Sequence, residues 1–339
     1  MTDPLLIAGS PGSPYTRKML AVLRYRRLPY RFVHMRKALE TLPAPKVPLL
    51  PTFYFPDDES ALVPMTDSTP IIRRLEREHE GRQVIPGDPA LALIDALIED
   101  YGDEWLTKAM FHYRWSFDAD IVKSATVLPN WFGKPLTDAE LKTMGDSFAD
   151  RQIGRLGYVG SNAVTGATIE ASYQRLLAIL DRHFAVHPFL LGNRPGASDF
   201  ALYGQLTQLA MFDPTPMGQA TGKAPRVVAW AHVMEDLSGE EGADWVDVCH
   251  LPTTINALLG EIGRTYVPLL LANADAVQHR IGTVSTLIDG RVWEQAPFPY
   301  QAKCLAALRS QYQALDQSAQ ARVNHALSGT GCVALFTDG

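Results

Sequence analysis

Ser13-Pro14-Tyr15-Thr16 is the segment whose residue types and position best suit chemistry. It follows a short apolar run, Leu5-Leu6-Ile7-Ala8, and opens a helical pattern from Thr16 to Arg27, so a strand hands over to a helix there. A hydroxyl at a helix start caps a backbone N–H that otherwise lacks a partner. The exposed amides of such a start also make a site for an anion, a thiolate included. A serine hydroxyl can donate to that thiolate, and the bond is short and strong because the acceptor is charged. Ser13 is the first candidate for this role, with Ser10 and Tyr15 as alternative donors. Other chemistries have weaker claims. Gly9-Ser10-Pro11-Gly12 is neither a phosphate loop nor a dinucleotide fingerprint, and neither His-Glu-x-x-His nor Gly-x-Ser-x-Gly occurs. Asp118-Ala119-Asp120 has no partner ligand at metal spacing and reads as solvated helix surface, so no metal site is expected.

The elements that must hold Ser13 follow from local pattern. Met19, Leu20 and Leu23 share one helical face, which leaves Arg17, Lys18, Arg24 and Arg27 to solvent, and Pro29 stops the helix. Tyr30 to Met35, Thr52 to Phe55 and Ala61 to Val63 read as strands, and Thr69 to Glu80 as a helix, giving β-α-β-(loop)-β-β-α. Pro86-Gly87-Asp88-Pro89 is a turn-rich linker. Beyond it strand patterns vanish. Helices are predicted over Leu91 to Trp115, bent or broken, then Leu136 to Ile153, Thr168 to Phe184 and Asp199 to Phe212, with a looser segment at Val127 to Pro135. Trp245 to Val248, Ile255 to Asn273 and Tyr300 to Leu327 are mostly helical, the last as a hairpin. The resulting division is 1–86, 90–235 and 236–339: a small α/β domain, an all-helical domain and a helical C-terminal extension.

Composition narrows the class. The 339 residues are 46% hydrophobic, 20% charged and carry a formal net charge of −6, which argues against nucleic-acid binding. Cys249, Cys304 and Cys332 lie far apart without a Cys-x-x-Cys pair, as expected of a reducing, cytoplasmic compartment. Apolar runs such as Val267 to Ala272 fall short of a membrane span, and Met1 to Pro4 shows no basic secretory start, so no membrane partner is expected.

Ser13-Pro14-Tyr15-Thr16 followed by Arg17-Lys18 resembles the Cys-Pro-Tyr-Cys turn of glutaredoxins with hydroxyls for sulfurs, and the Ser-Pro-Phe/Tyr turn of serine-type glutathione transferases. Leu50-Pro51-Thr52-Phe53 resembles the Val-Pro-x-Leu segment of the latter, in which the proline is cis; Pro48 competes, but the aromatic strand after Pro51 favours Pro51. Thr66-Asp67-Ser68, followed by Pro70 to Leu75, resembles Thr-Glu-Ser-x-x-Ile-x-x-Tyr-Leu, and Phe189 to Ala201 resembles Phe-Leu-x-Gly-Asp…Thr-x-Ala-Asp, read as folding machinery. The resemblance to the glutathione transferase superfamily spans roughly residues 4 to 235. It implies a thioredoxin-like domain that binds glutathione as co-substrate, and a helical domain that presents a small hydrophobic electrophile, commonly in a homodimer and in detoxification. Leu50, held by Pro51, would pair with the tripeptide backbone. Asp67 and Ser68 would hold the γ-glutamyl end, Asp67 replacing the more common Glu, and Lys37 or Lys46 would meet the glycyl carboxylate.

Trp105, Lys108, Phe111, His112 and Trp115 recur at spacings of three and four on one helical face. Such a stripe is usually core; the resemblance offers it instead as the electrophile pocket, with Trp131 as wall or lid. Two readings from other classes stand beside the enzyme: a catalytically silent scaffold for protein contacts, and a disulfide oxidoreductase, which the missing sulfurs at Ser13 and Thr16 disfavour.

Overall fold

β1 (Leu5–Gly9), β2 (Tyr30–His34), β3 (Thr52–Pro56) and β4 (Leu62–Met65) form a sheet of order β2-β1-β3-β4 in a computed structural model that describes residues 3–337. The reading of Met1 and Thr2 lies outside the described residues. β1 and β2 are parallel and the other pairs antiparallel, with α1 (Pro14–Tyr25) after β1 and α3 (Ser68–Glu78) after β4. This is the thioredoxin-like arrangement that the resemblance implies. Pairing of Ala8 with Thr52 and of Phe53 with Met65 brings the end of β1, the start of β3 and the end of β4 together. The turns that carry Ser13, Pro51 and Asp67 therefore open at one end of the sheet. The Leu50–Pro51 peptide is cis, as the resemblance suggests. A further helix, α2 (Met35–Thr41), occupies what the pattern predicts as loop; it is seven residues long and buries only Ala38, too little for a periodic signal.

Eight helices follow the linker: α4 (Pro89–Glu104), α5 (Leu106–Ser116), α6 (Asp118–Val127), α7 (Asp138–Ile153), α8 (Gly166–His183), α9 (Ala197–Leu209), α10 (Pro214–Lys223) and α11 (Pro225–Val233). The predicted Leu91–Trp115 stretch is broken at Trp105, between α4 and α5. Asp199, in the first turn of α9, accepts N–H bonds from Gly196 at 2.9 Å and Leu190 at 3.0 Å, so it closes the loop before that helix. Asp120 is fully buried and accepts the Thr215 N–H at 3.0 Å, capping α10; the expectation of a solvated residue fails there.

The C-terminal extension consists of α12 (Thr253–His279), a β-hairpin of β5 (Val284–Ile288) and β6 (Arg291–Gln295), then α13 (Pro299–Gln313) and α14 (Gln317–Leu327). The hairpin corrects the prediction that no strand lies beyond the linker. Its signal was present: Asp289-Gly290, both at positive φ (54° and 72°), is the two-residue turn that matches strand twist. The extension packs on α4 through its acidic side chains. Tyr266 on α12 donates to Asp100 at 2.7 Å, Gln301 on α13 to Glu104 at 3.1 Å, and Arg322 on α14 to Asp88 at 2.6 Å. Buried α4 is thus enclosed by α9 on one side and the extension on another. Among the described residues no helix is long and apolar enough to cross a membrane.

Two expectations concern this docking. Burial, with Asp100 and Asp103 nearby, pushes Glu104 up to about 8, while Gln301 and Lys108 act in the opposite direction; burial likewise pushes Asp100 up to about 7. Folded chains hold protons that unfolded chains have lost between the ordinary carboxylate range and these values. Stability is therefore greatest on the acid side of that window and falls as pH rises through about 5 to 8. Glu104→Gln keeps the Gln301 contact and should flatten that decline in denaturant melts taken across the window; an unchanged slope would contradict the assignment. Trp293 of β6 is fully buried with its ring 5.3 Å from that of Trp105, so Trp293→Ala should cost about 3–5 kcal/mol in chemical denaturation.

Candidate functional site

Ser13 is the N-cap of α1, with extended backbone (φ −94°, ψ 121°) and Pro14 at the first helical position. Its Oγ accepts the Thr16 N–H at 3.2 Å, and its own N–H donates to the Ser10 carbonyl at 3.0 Å, closing the turn. A hydroxyl that accepts as a cap still has its proton to give. Ser13 is half-buried, so that proton can be offered to a molecule at the helix mouth. Cap and thiolate donor are compatible roles for one side chain.

The alternatives to Ser13 are placed differently. Tyr15 points into the junction with α4, where its hydroxyl donates to the Asp103 carbonyl at 2.7 Å. Burial, reinforced by Glu104 and Asp103, holds that phenol well above its ordinary value, so it stays protonated and committed to α4. Ser10 lies in the turn itself and donates its backbone N–H to Thr16 Oγ1 at 3.4 Å.

Two buried cations support the mouth. Arg114 on α5 is clamped by Asp213 (Nε to Oδ1 2.9 Å, Nη2 to Oδ2 2.9 Å) and Gln208 (2.7 Å), and its Nη1 donates to the Gly12 carbonyl at 3.2 Å. A guanidinium is thereby fixed one residue before Ser13, in a setting where charge is poorly screened. Lys18, one turn into α1, is fully buried and not solvated as predicted. Its ammonium donates to Ser68 Oγ (3.1 Å), Glu99 (2.8 Å) and Asp103 (2.6 Å). Burial alone would lower its pKa, but Asp103 and Glu99 outweigh that and raise it, so the charge persists. Neither cation has a sequence signal, because each has its partners on other helices.

A Cβ at Gly12 would lie 2.6 Å from Leu128 Cδ2 and 3.2 Å from the Trp131 ring, so a side chain there would have to displace Leu128. The 3₁₀ turn Leu128–Phe132 therefore presses on the turn before Ser13, with the rings of Trp131 and Phe212 5.3 Å apart. Trp131, which the sequence offers as wall or lid, is half-buried in that turn. The other proposed pocket residues diverge instead of converging. Trp105 is 1% exposed and donates to Ser172; Lys108 is 1% exposed and donates to the Val159 carbonyl. His112 bonds to Ser161 at 2.8 Å and Glu170 at 3.3 Å, its pKa lowered by burial against the pull of Glu170. Trp115 is buried against Phe148, and Phe111, half-buried, packs on Trp115. Trp105, Lys108, His112 and Trp115 are interior residues, as the spacing of a core stripe already allowed.

At the same end of the sheet, Leu50 is half-buried before the cis peptide. Asp67 caps α3 from an unusual backbone (φ 80°, ψ 114°), its Oδ1 accepting the Thr69 N–H at 3.2 Å and its Oδ2 the Tyr300 hydroxyl at 2.5 Å. A non-glycine residue there is strained, and such strain is held where position matters. Ser68 is buried and turned toward Lys18. Lys37, on α2, and Lys46, in the loop before Leu50, are both exposed. Tyr300 belongs to the extension, outside the sequence resemblance, and nothing local marks it.

Residues 7–83 match the N-terminal domain of glutathione S-transferase, and residues 149–232 its C-terminal domain. Similar solved structures include a glutathione transferase from Pseudomonas putida with one glutathione disulfide bound per subunit (15% identity, TM-score 0.43, covering 68% of this chain and 86% of that one). Another, from Burkholderia graminis, has two glutathione molecules per subunit (17%, 0.41, 68% and 82%), and a third is poplar glutathione transferase F1 (17%, 0.41, 70% and 95%). No curated protein matches the chain. The two domain matches fall in the order of the resemblance, the first on the sheet domain and the second on the helices from the end of α7 to α11, so over those residues the chain is similar to glutathione S-transferases.

Proposed function

We propose that this chain binds glutathione at the mouth of α1 and activates its thiol for attack on a small hydrophobic electrophile. The observation that carries this reading is Ser13, half-buried, with an oxygen used as cap and a proton left to donate. The α1 amides favour the anionic sulfur, and Arg114, its charge met by Asp213, holds the Gly12 carbonyl and so the turn before Ser13 in place. The thiolate forms a bond to the electrophilic carbon and the leaving group departs with its electron pair. Leu50 would pair with the tripeptide backbone, Asp67 would take the ammonium, and the first amides of α3 beside Ser68 would take the γ-glutamyl carboxylate. Lys37 or Lys46 would approach the glycyl carboxylate. Leu128 and Trp131 would meet the electrophile, in place of the interior residues of α5.

Three unpaired cysteines accord with a cytoplasmic location. A homodimer, carried from the superfamily, would have to form away from the α4 face that the extension covers.

One observation favours the silent scaffold as second reading. Ser68 and Asp67, the side chains that would hold the γ-glutamyl group, already have partners in Lys18 and Tyr300. Calorimetry with glutathione and turnover across an electrophile panel separate the two. The enzyme reading expects binding by the native chain, and a loss of about a hundredfold in kcat for Ser13→Ala with binding retained. No heat at millimolar glutathione together with no conjugation would establish the scaffold; turnover unchanged by Ser13→Ala would pass the role to Ser10.

A further inference from the structure

The C-terminal extension reaches the end of the sheet that carries Asp67 through Tyr300, and the backbone on both sides of that residue is fixed. Asn273, fully buried on α12, grips Phe298 in both directions: its Nδ2 donates to the Phe298 carbonyl at 2.9 Å and its Oδ1 accepts the Phe298 N–H at 2.7 Å. Three residues on, Gln301 is 1% exposed and donates to the Glu104 carboxylate at 3.1 Å and carbonyl at 3.3 Å. Between these anchors Tyr300 extends its hydroxyl to Asp67 Oδ2 at 2.5 Å, a length typical of a hydroxyl donating to a carboxylate. Tyr300 remains 37% exposed, and a phenol oxygen that donates its proton keeps lone pairs with which to accept.

Asp67 stands where the superfamily pattern has Glu, a side chain longer by one carbon–carbon bond, about 1.5 Å. The strained backbone of Asp67 (φ 80°) aims the carboxylate but cannot lengthen it. The phenol oxygen, 2.5 Å from Oδ2, sets a second acceptor beside the shorter carboxylate.

We propose that Tyr300 and Asp67 together form the subsite for the α-ammonium of the γ-glutamyl group, with Tyr300 donating to Asp67 and accepting from the ammonium. The proposal rests on the glutathione reading given above. It makes the extension part of the ligand site: a residue from the chain's own C-terminal part adds an acceptor beside the shorter carboxylate. Tyr300 is a ligand-binding residue in this account and has no part in bond breaking.

Calorimetry on the full chain with two ligands tests it: glutathione, and the analogue in which a glutaryl group replaces γ-glutamyl and the ammonium is absent. Tyr300→Phe should weaken glutathione about tenfold and leave the analogue unchanged, since only the former loses a bond to a charged group. Asp67→Glu in the Tyr300→Phe background should restore glutathione affinity, a rescue that a merely structural tyrosine would not permit. Equal weakening of both ligands, no change in either, or tighter glutathione binding after Tyr300→Phe would overturn the proposal while leaving the glutathione site in place. Failure of the native chain to bind glutathione would remove both.

Discussion

The buried ammonium of Lys18 is the interaction on which the rest of the site depends. It leaves α1 one turn after the Ser13 cap and ends among Ser68 of α3 and Glu99 and Asp103 of α4. Three elements that share no local sequence are thereby held around one charge. Removing one partner of such a cluster costs about 3–5 kcal/mol, because the remaining charges stay buried and uncompensated. The cluster is weak evidence for net stability, but it is a strong constraint on geometry. It sets α1 against α4 and fixes the start of α3, so the sheet domain cannot shift on the helices without breaking it.

A similar logic extends outward along α4. Asp95 serves the loop before α9 by accepting the Ser198 N–H at 3.1 Å, whereas Asp100 and Glu104 serve the extension. One helix of acidic partners thus joins the two regions that match glutathione S-transferase domains to a third section that neither match reaches. The extension continues past α4 to Asp67, which links the least familiar part of the chain to the strained residue at the mouth of α3.

What the sequence made legible was set by how local each cause is. The strand-to-helix handover at Ser13, the proline before β3 and the cap at Asp67 are each written in a few neighbouring residues, and register then brings them together. The hairpin at Asp289-Gly290 was equally local and readable in principle, yet a strong helical context on both sides masked it. Lys18 and Arg114 were not readable. A charged residue on a helix reads as solvated until its counter-charges, 81 residues away for Glu99 and 99 for Asp213, are folded against it. The stripe from Trp105 to Trp115 shows the converse: spacing alone reveals a shared face, but Trp105 meets Trp293 of the hairpin whereas Trp115 meets Phe148 of α7.

The central claim is that the start of α1, with the Ser13 hydroxyl, stabilises a negatively charged sulfur. The most direct measurement is the ultraviolet absorbance of the bound thiolate, followed as a function of pH in complexes of glutathione with the native chain and with Ser13→Ala. The account predicts that bound glutathione ionises well below the ordinary thiol value of about 8.5 in the native complex and returns toward it once the hydroxyl is gone. A bound thiol that titrates at its free value in both proteins would contradict it.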